Sequence, residues 1–177
     1  MRLFDKVLEK SDIVFLQEVH GDINDFKINF SQQLRNFIVM ADGGKDFATA
    51  GVATLIRISR FEDYCWQATP FGKADEAGRI LLAEGAGPEG QMAKLWNVHN
   101  FGLSAGTITQ VANLMQEDAI HKDIATDVML WVGGDWNFLA EGENHLVLSR
   151  PDEGFREAPA ELNPNAIRWT RALFPGW

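Results

Sequence analysis

The chain has 177 residues, 46% of them hydrophobic and 23% charged, with a formal net charge of -9 at pH 7. That length suits one domain with a real core, and the balance of apolar to charged residues argues against disorder. The acidic charge, a pI of about 4.8 and the lack of any Lys/Arg cluster argue against affinity built on neutralising many backbone phosphates, while leaving room for carboxylates gathered around a divalent cation.

In chain order, residues 1–10 place Leu3, Phe4, Val7 and Leu8 on one helical stripe. This opening has no signal-peptide core, and no apolar run in the chain nears the roughly 20 residues needed to cross a bilayer. Ser11-Asp12 breaks the helix. IVFLQEV (13–19) then reads as a strand buried on both faces. In the polar stretch that follows, Asp22 or Asn24 is placed to cap a helix carrying Phe26, Phe30 and Leu34 at intervals of four.

The middle of the chain is strand-rich: FIVMAD (37–42), GVATLIRIS (51–59), YCWQAT (64–69), GRILLAEGA (78–86) and AKLWNVHNF (93–101). Short Gly-rich turns between them predict antiparallel pairing. Cys65 cannot form an internal disulfide; it is expected as a small buried hydrophobe, and the lone thiol points to a reducing, intracellular compartment (cytoplasm or nucleus). Residues 107–125 read as a long helix starting at Gly106 or Thr107, and VMLWVGGDWNF (128–138) as the next buried strand. Trp96, Trp131 and Trp136 are expected to pack in the core. Beyond this the pattern weakens, with prolines at 151, 159 and 164 and a final short helix over 165–174. The predicted class is α/β, with packed sheets flanked by helices in a single domain over 1–177.

Polar residues close three of the apolar runs: Glu18, His99, and Asp135 with Asn137. A charge at the end of a buried strand must be paired, hydrogen-bonded or bound to a cation, since desolvating it alone costs several kcal/mol. Strand ends also hold side chains at fixed positions, as a reaction site requires. Alternation sends Asp135 and Asn137 to the same side of their strand. Taken singly, each has an ordinary explanation: an exposed strand end, a satisfied structural histidine, an Asx turn after Gly-Gly. His20 and His121 read as surface residues.

Together these segments resemble the endonuclease/exonuclease/phosphatase (DNase I-like) superfamily. DIVFLQEV is similar to its L-Q-E strand, GVATLI to its G-x-A strand, GRILLAE to its Gly-Arg strand, NVHNF to its N-x-H segment and GGDWNF to its G-D-x-N motif. Single short motifs arise by chance; five in the family's order do not. The resemblance covers about residues 1–140 and implies a layered β-sandwich flanked by helices. It further implies Glu18 as ligand to Mg²⁺ or Mn²⁺, Asp135 as the group orienting or activating water, Asn137 as a donor to the phosphate, His99 as a contact to the scissile phosphate, and Asn97 as support behind them. The histidine, where the abasic-site branch usually carries tyrosine, shifts the expectation away from abasic-site repair.

Two family elements have no counterpart: the opening strand with its asparagine, and a late Ser-Asp-His motif. The only late histidine, His145, lacks a preceding aspartate. The chain is therefore expected to be a domain incomplete at both ends, with 141–177 poorly matched. The implied activity is metal-dependent hydrolysis of a phosphodiester or phosphomonoester, nuclease-like, on a substrate that includes DNA or RNA among its candidates. The alternative is a catalytically inactive fragment or binding module of the same fold. A retroelement-encoded endonuclease domain is not separable from the first reading. No protein partner is indicated.

Overall fold

The structure is a computed structural model that describes residues 3–44, 51–124 and 128–135. Its elements are α1 (Leu3–Lys10), β1 (Ile13–Gln17), α2 (Ile23–Asn29), α3 (Ser31–Leu34), β2 (Phe37–Asp42), β3 (Val52–Arg57), β4 (Cys65–Phe71), β5 (Ile80–Ala86), β6 (Met92–His99), α4 (Ala105–Ile124) and β7 (Val128–Asp135). Among the described residues the strands form two sheets, one ordered β1-β3-β2 and the other β4-β5-β6-β7. Neighbours pair antiparallel except β6 with β7, which run parallel and need the crossover that α4 supplies.

The alternation of side chains sorts the residues into layers. Ile56, Ala83 and Leu95 meet between the sheets, joined by Phe15, Ile38 and Met129. On the outer face of the first sheet, Val14 and Leu55 pack against Leu8 of α1 and Leu34 of α3. On the outer face of the second, Ile80, Leu82, Trp96 and Val98 pack against Val111 and Met115 of α4. The order is thus helix, sheet, sheet, helix, and each fully buried Leu, Ile or Val contributes about 1.5–3 kcal/mol of hydrophobic free energy. Arg57 ties α1 to this frame: its guanidinium donates to the carbonyls of Leu8 and, at 2.8 Å, Ser11 near the helix end, and pairs with Asp12 at 3.1 Å.

Several expectations are corrected. β1 is covered on both faces but not fully buried: only Val14 is buried, because among the described residues β1 is an edge strand that pairs with β3 alone. β7 has no buried residue for the same reason, and Trp131 is 50% exposed on it, whereas Trp96 is buried as expected. Cys65 is exposed, lying on the outward phase of the edge strand β4. The GVATLIRIS strand stops at Arg57, where Ile58–Arg60 turn into a 3₁₀ helix. Leu3 is exposed and off the packed stripe of α1. The long helix begins at Ala105, one residue ahead of Gly106, since Ser104 Oγ accepts from Thr107 N–H at 3.3 Å and caps it. Asp22 takes the other predicted cap, accepting from Asn24 N–H at 2.6 Å. Asn137, His145, Trp136 and the helix expected over 165–174 lie outside the described residues.

Candidate active site

β1, β6 and β7 end at one edge of the sandwich, and there three of the four singled-out residues meet. His99 closes β6 and is 1% exposed; Glu18 follows β1 and its side chain is 47% exposed; their closest atoms, His99 Nε2 and Glu18 Oε1, are 3.6 Å apart. In the parallel register His99 lies opposite Asp135, and the Asn100 N–H donates to the Asp135 carbonyl at 2.8 Å, locking the two strand ends together. Asp135 is exposed.

The backbone aims Glu18. Its φ is +55°, a left-handed conformation uncommon for a residue with a side chain and concentrated at functional sites. The kink is held because Val19 N–H donates to Gly51 O at 3.0 Å. Gly51 itself has φ +140°, and a Cβ there would fall 2.2 Å from Val19 O. Only glycine admits that approach, so the glycine that opens the GVATLI segment fixes the turn that presents Glu18.

Sequence reasoning left Arg79 without a role, although it lay in the Gly-Arg motif. Its Nη1 sits 3.2 Å from His99 Nδ1, and its carbonyl accepts from His99 N–H at 2.7 Å. A guanidinium only donates, so Nδ1 must accept, and the neutral ring then carries its proton on Nε2, facing Glu18. Burial, followed by the Arg79 charge, holds the His99 pKa below the ordinary histidine range, against the opposing pull of Glu18 and Asp135. His99 is thereby kept as a neutral Nε2–H donor. At 3.6 Å its contact with Glu18 is electrostatic proximity, too long for a hydrogen bond.

Two carboxylates hold the turn that delivers Arg79. Asp42 at the end of β2 accepts from Gly78 N–H at 2.7 Å. Glu76, 4% exposed, accepts from Lys73 N–H at 3.0 Å, Ser104 N–H at 2.7 Å and the Thr107 hydroxyl at 2.6 Å, joining the turn to the start of α4. Neither stood out in the sequence, because Asp42 meets Gly78, and Glu76 meets Ser104 and Thr107, only through the fold. Asn97 is fully buried on the inward phase of β6, where its amide faces β1 and β3.

The exposed carboxylates of Glu18 and Asp135, both near His99, are the oxygen donors at this edge that could hold a hard cation. Among the described residues no group of three His, Cys, Asp or Glu side chains forms a metal cage. Among them, too, no helix is long and apolar enough to cross a membrane.

No family model matches the chain, and no curated protein matches it. Solved structures do. TDP2 from D. rerio complexed with a single-strand DNA product aligns at a TM-score of 0.50 and 20% identity, over 75% of this chain and 50% of that one. D. rerio TDP2 humanized by 14 mutations aligns at 0.50 and 15% identity, over 78% and 58%. TDP2 from Caenorhabditis elegans aligns at 0.50 and 18% identity, over 77% and 42%. The likeness establishes the fold: this is a DNase I-like α/β sandwich, and the chain spans about half the length of the structures it matches.

Proposed function

We propose that this chain carries the metal-binding and phosphate-facing side of a phosphodiester hydrolase of nuclease type. The observation that carries the reading is the meeting of Glu18, His99 and Asp135 at one edge of a DNase I-like sandwich, 3.6 Å separating the first two and strand register joining the last two. The structure of D. rerio TDP2 with a single-strand DNA product supports a nucleic-acid strand as the substrate class.

The donor set suits Mg²⁺ or Mn²⁺. Mg²⁺ is commonly held by one or two carboxylates, with water and substrate phosphate filling the rest of its shell, so Glu18 as principal ligand is sufficient and a three-residue cage is not required. When bound, such an ion screens the phosphate charge and favours attack by water. The chain's own residues do the remainder. Neutral His99 donates Nε2–H to a phosphate oxygen, and Arg79 fixes that tautomer while adding positive charge beside it. Asp135 orients the attacking water and takes up its proton. Asn137, two residues after Asp135 in the sequence and outside the described residues, is assigned the second phosphate donor.

The test is hydrolysis of a short oligonucleotide and of a simple phosphodiester by the 177-residue chain with and without Mg²⁺. Glu18→Ala and Asp135→Ala should each lower the rate by about 10²–10⁴-fold, the usual loss for such groups. Activity that survives both substitutions rejects the assignment. Complete inactivity of the unaltered chain with Mg²⁺ and Mn²⁺ favours the second reading, a non-catalytic module of this fold.

A further inference from the structure

Phe101 follows His99 by two residues and is 59% exposed, one of the few large apolar side chains left open among the described residues. It is not left without contacts. The Arg79 guanidinium carbon lies 5.0 Å over its ring centroid, and the His99 ring lies 6.0 Å away at an interplanar angle of 18°. Arg79 and His99 also touch each other at 3.2 Å. Arg79 and His99 thus lie against Phe101 and against each other, a three-way contact at the end of β6. Beside these two contacts the residue remains 59% exposed. The ring is therefore backed by a cation and an imidazole, and presents a flat apolar surface beside the residue assigned to the phosphate.

From this arrangement we infer that Phe101 is a stacking platform for the nucleobase next to the scissile phosphate. The inference rests on the phosphodiesterase reading above and names its substrate class more closely: a strand whose base at that position is unpaired and unstacked. A base within a duplex has both faces covered and cannot lie on Phe101, whereas single strands are held by such aromatic faces with little sequence preference. The charge balance agrees. A chain of net charge -9 without a Lys/Arg cluster lacks the basic track that duplex binding uses, so contacts to a base must supply what phosphate contacts do not.

Two measurements on the full chain test this. The first is Mg²⁺-dependent cleavage of a short single-stranded DNA against the same strand carrying an abasic residue beside the cleaved bond. The second is binding of the corresponding phosphorothioate strands, which does not depend on turnover. The natural strand should be favoured about tenfold in both, as one base–aromatic stack implies. Phe101→Leu should abolish that preference, and Phe101→Trp, which keeps a stacking face, should retain it. Glu18→Ala should stop cleavage while base-dependent binding persists, so failure of the hydrolytic reading alone would leave the platform standing. Equal handling of the two strands by the unaltered chain, or a preference undiminished in Phe101→Leu, overturns the inference.

Discussion

Glu76 shows how a single buried carboxylate serves the site without touching it. Burial alone would raise its pKa, but hydrogen bonds from Lys73, Thr107 and Ser104 outweigh that effect and lower it from the ordinary 4.5 to about 2. A depressed carboxylate pKa stabilises the fold above the unfolded value near 4.5, and that contribution is lost as pH falls through about 2. Its size is about 3 kcal/mol, from 1.36 kcal/mol per pKa unit. Glu76→Gln should therefore cost about 2–3 kcal/mol at pH 7, measured by urea unfolding, and the gap to the unaltered chain should close as the comparison is repeated towards pH 2. A gap of equal size at both pH values would mean that the ionised carboxylate is not the source. Nothing in the segment GKADEAGR marks this residue, because its three donors come from Lys73 and from a helix start nearly thirty positions away. Glu18 and His99 were legible for the opposite reason: each interrupts an apolar run, and the cost of an unpaired polar group makes such interruptions informative.

At the scale of elements, the pairing of β6 with β7 sets the spacing between His99 and Asp135, and it rests on glycine. Gly134 has φ +143°, and a Cβ there would sit 1.8 Å from the Val98 carbonyl oxygen across the ladder. Gly134→Ala should cost roughly 3 kcal/mol or more, combining backbone strain with overpacking that no rotamer can relieve. Gly106→Ala makes the contrast, since its Cβ would meet only Ser104 Oγ at 4.0 Å, inside the helix α4. That change should stabilise by about 0.5–1 kcal/mol through the unfolded chain. Thermal melts of both variants read the two signs; a well-folded, unshifted Gly134→Ala would show that β7 does not approach β6 this closely. The strands could be read from apolar runs and turns, and so could the long helix, but not which strands pair: β3 and β4, consecutive in the chain, lie in different sheets. Nor could the burial of β1 and β7. A continuous apolar run looks the same whether a strand is flanked on two sides or on one, and sheet order is decided by partners that local sequence does not name.

For the molecule as a whole, the site depends on two sheets meeting in one fixed arrangement, and Asn97 is the polar tie between them. Gln17 Nε2 donates to its Oδ1 at 2.7 Å, and its Nδ2 donates to Ala53 O at 3.0 Å and to Leu16 O at 3.2 Å, all from a fully buried position. The family resemblance implies Asn97 as support behind the site, and its bond runs to Gln17, the residue before Glu18. An apolar seam could slide by small steps, whereas a buried amide with each bond satisfied admits one register. Asn97→Leu would fill the space but take the acceptor from the Gln17 amide and the second donor from two strand carbonyls, a loss of about 1–3 kcal/mol. Because those partners sit at the Gln17–Val52 end of the first sheet, the effect should be local before it is global. Hydrogen exchange under native conditions should show the β1–β3 amides near Gln17 and Val52 opening sooner, with β5 and the α4 face of β6 keeping their relative protection. Uniform acceleration across both sheets would instead make Asn97 one core residue among many, and Glu18 would then owe its position to the Val19–Gly51 turn alone.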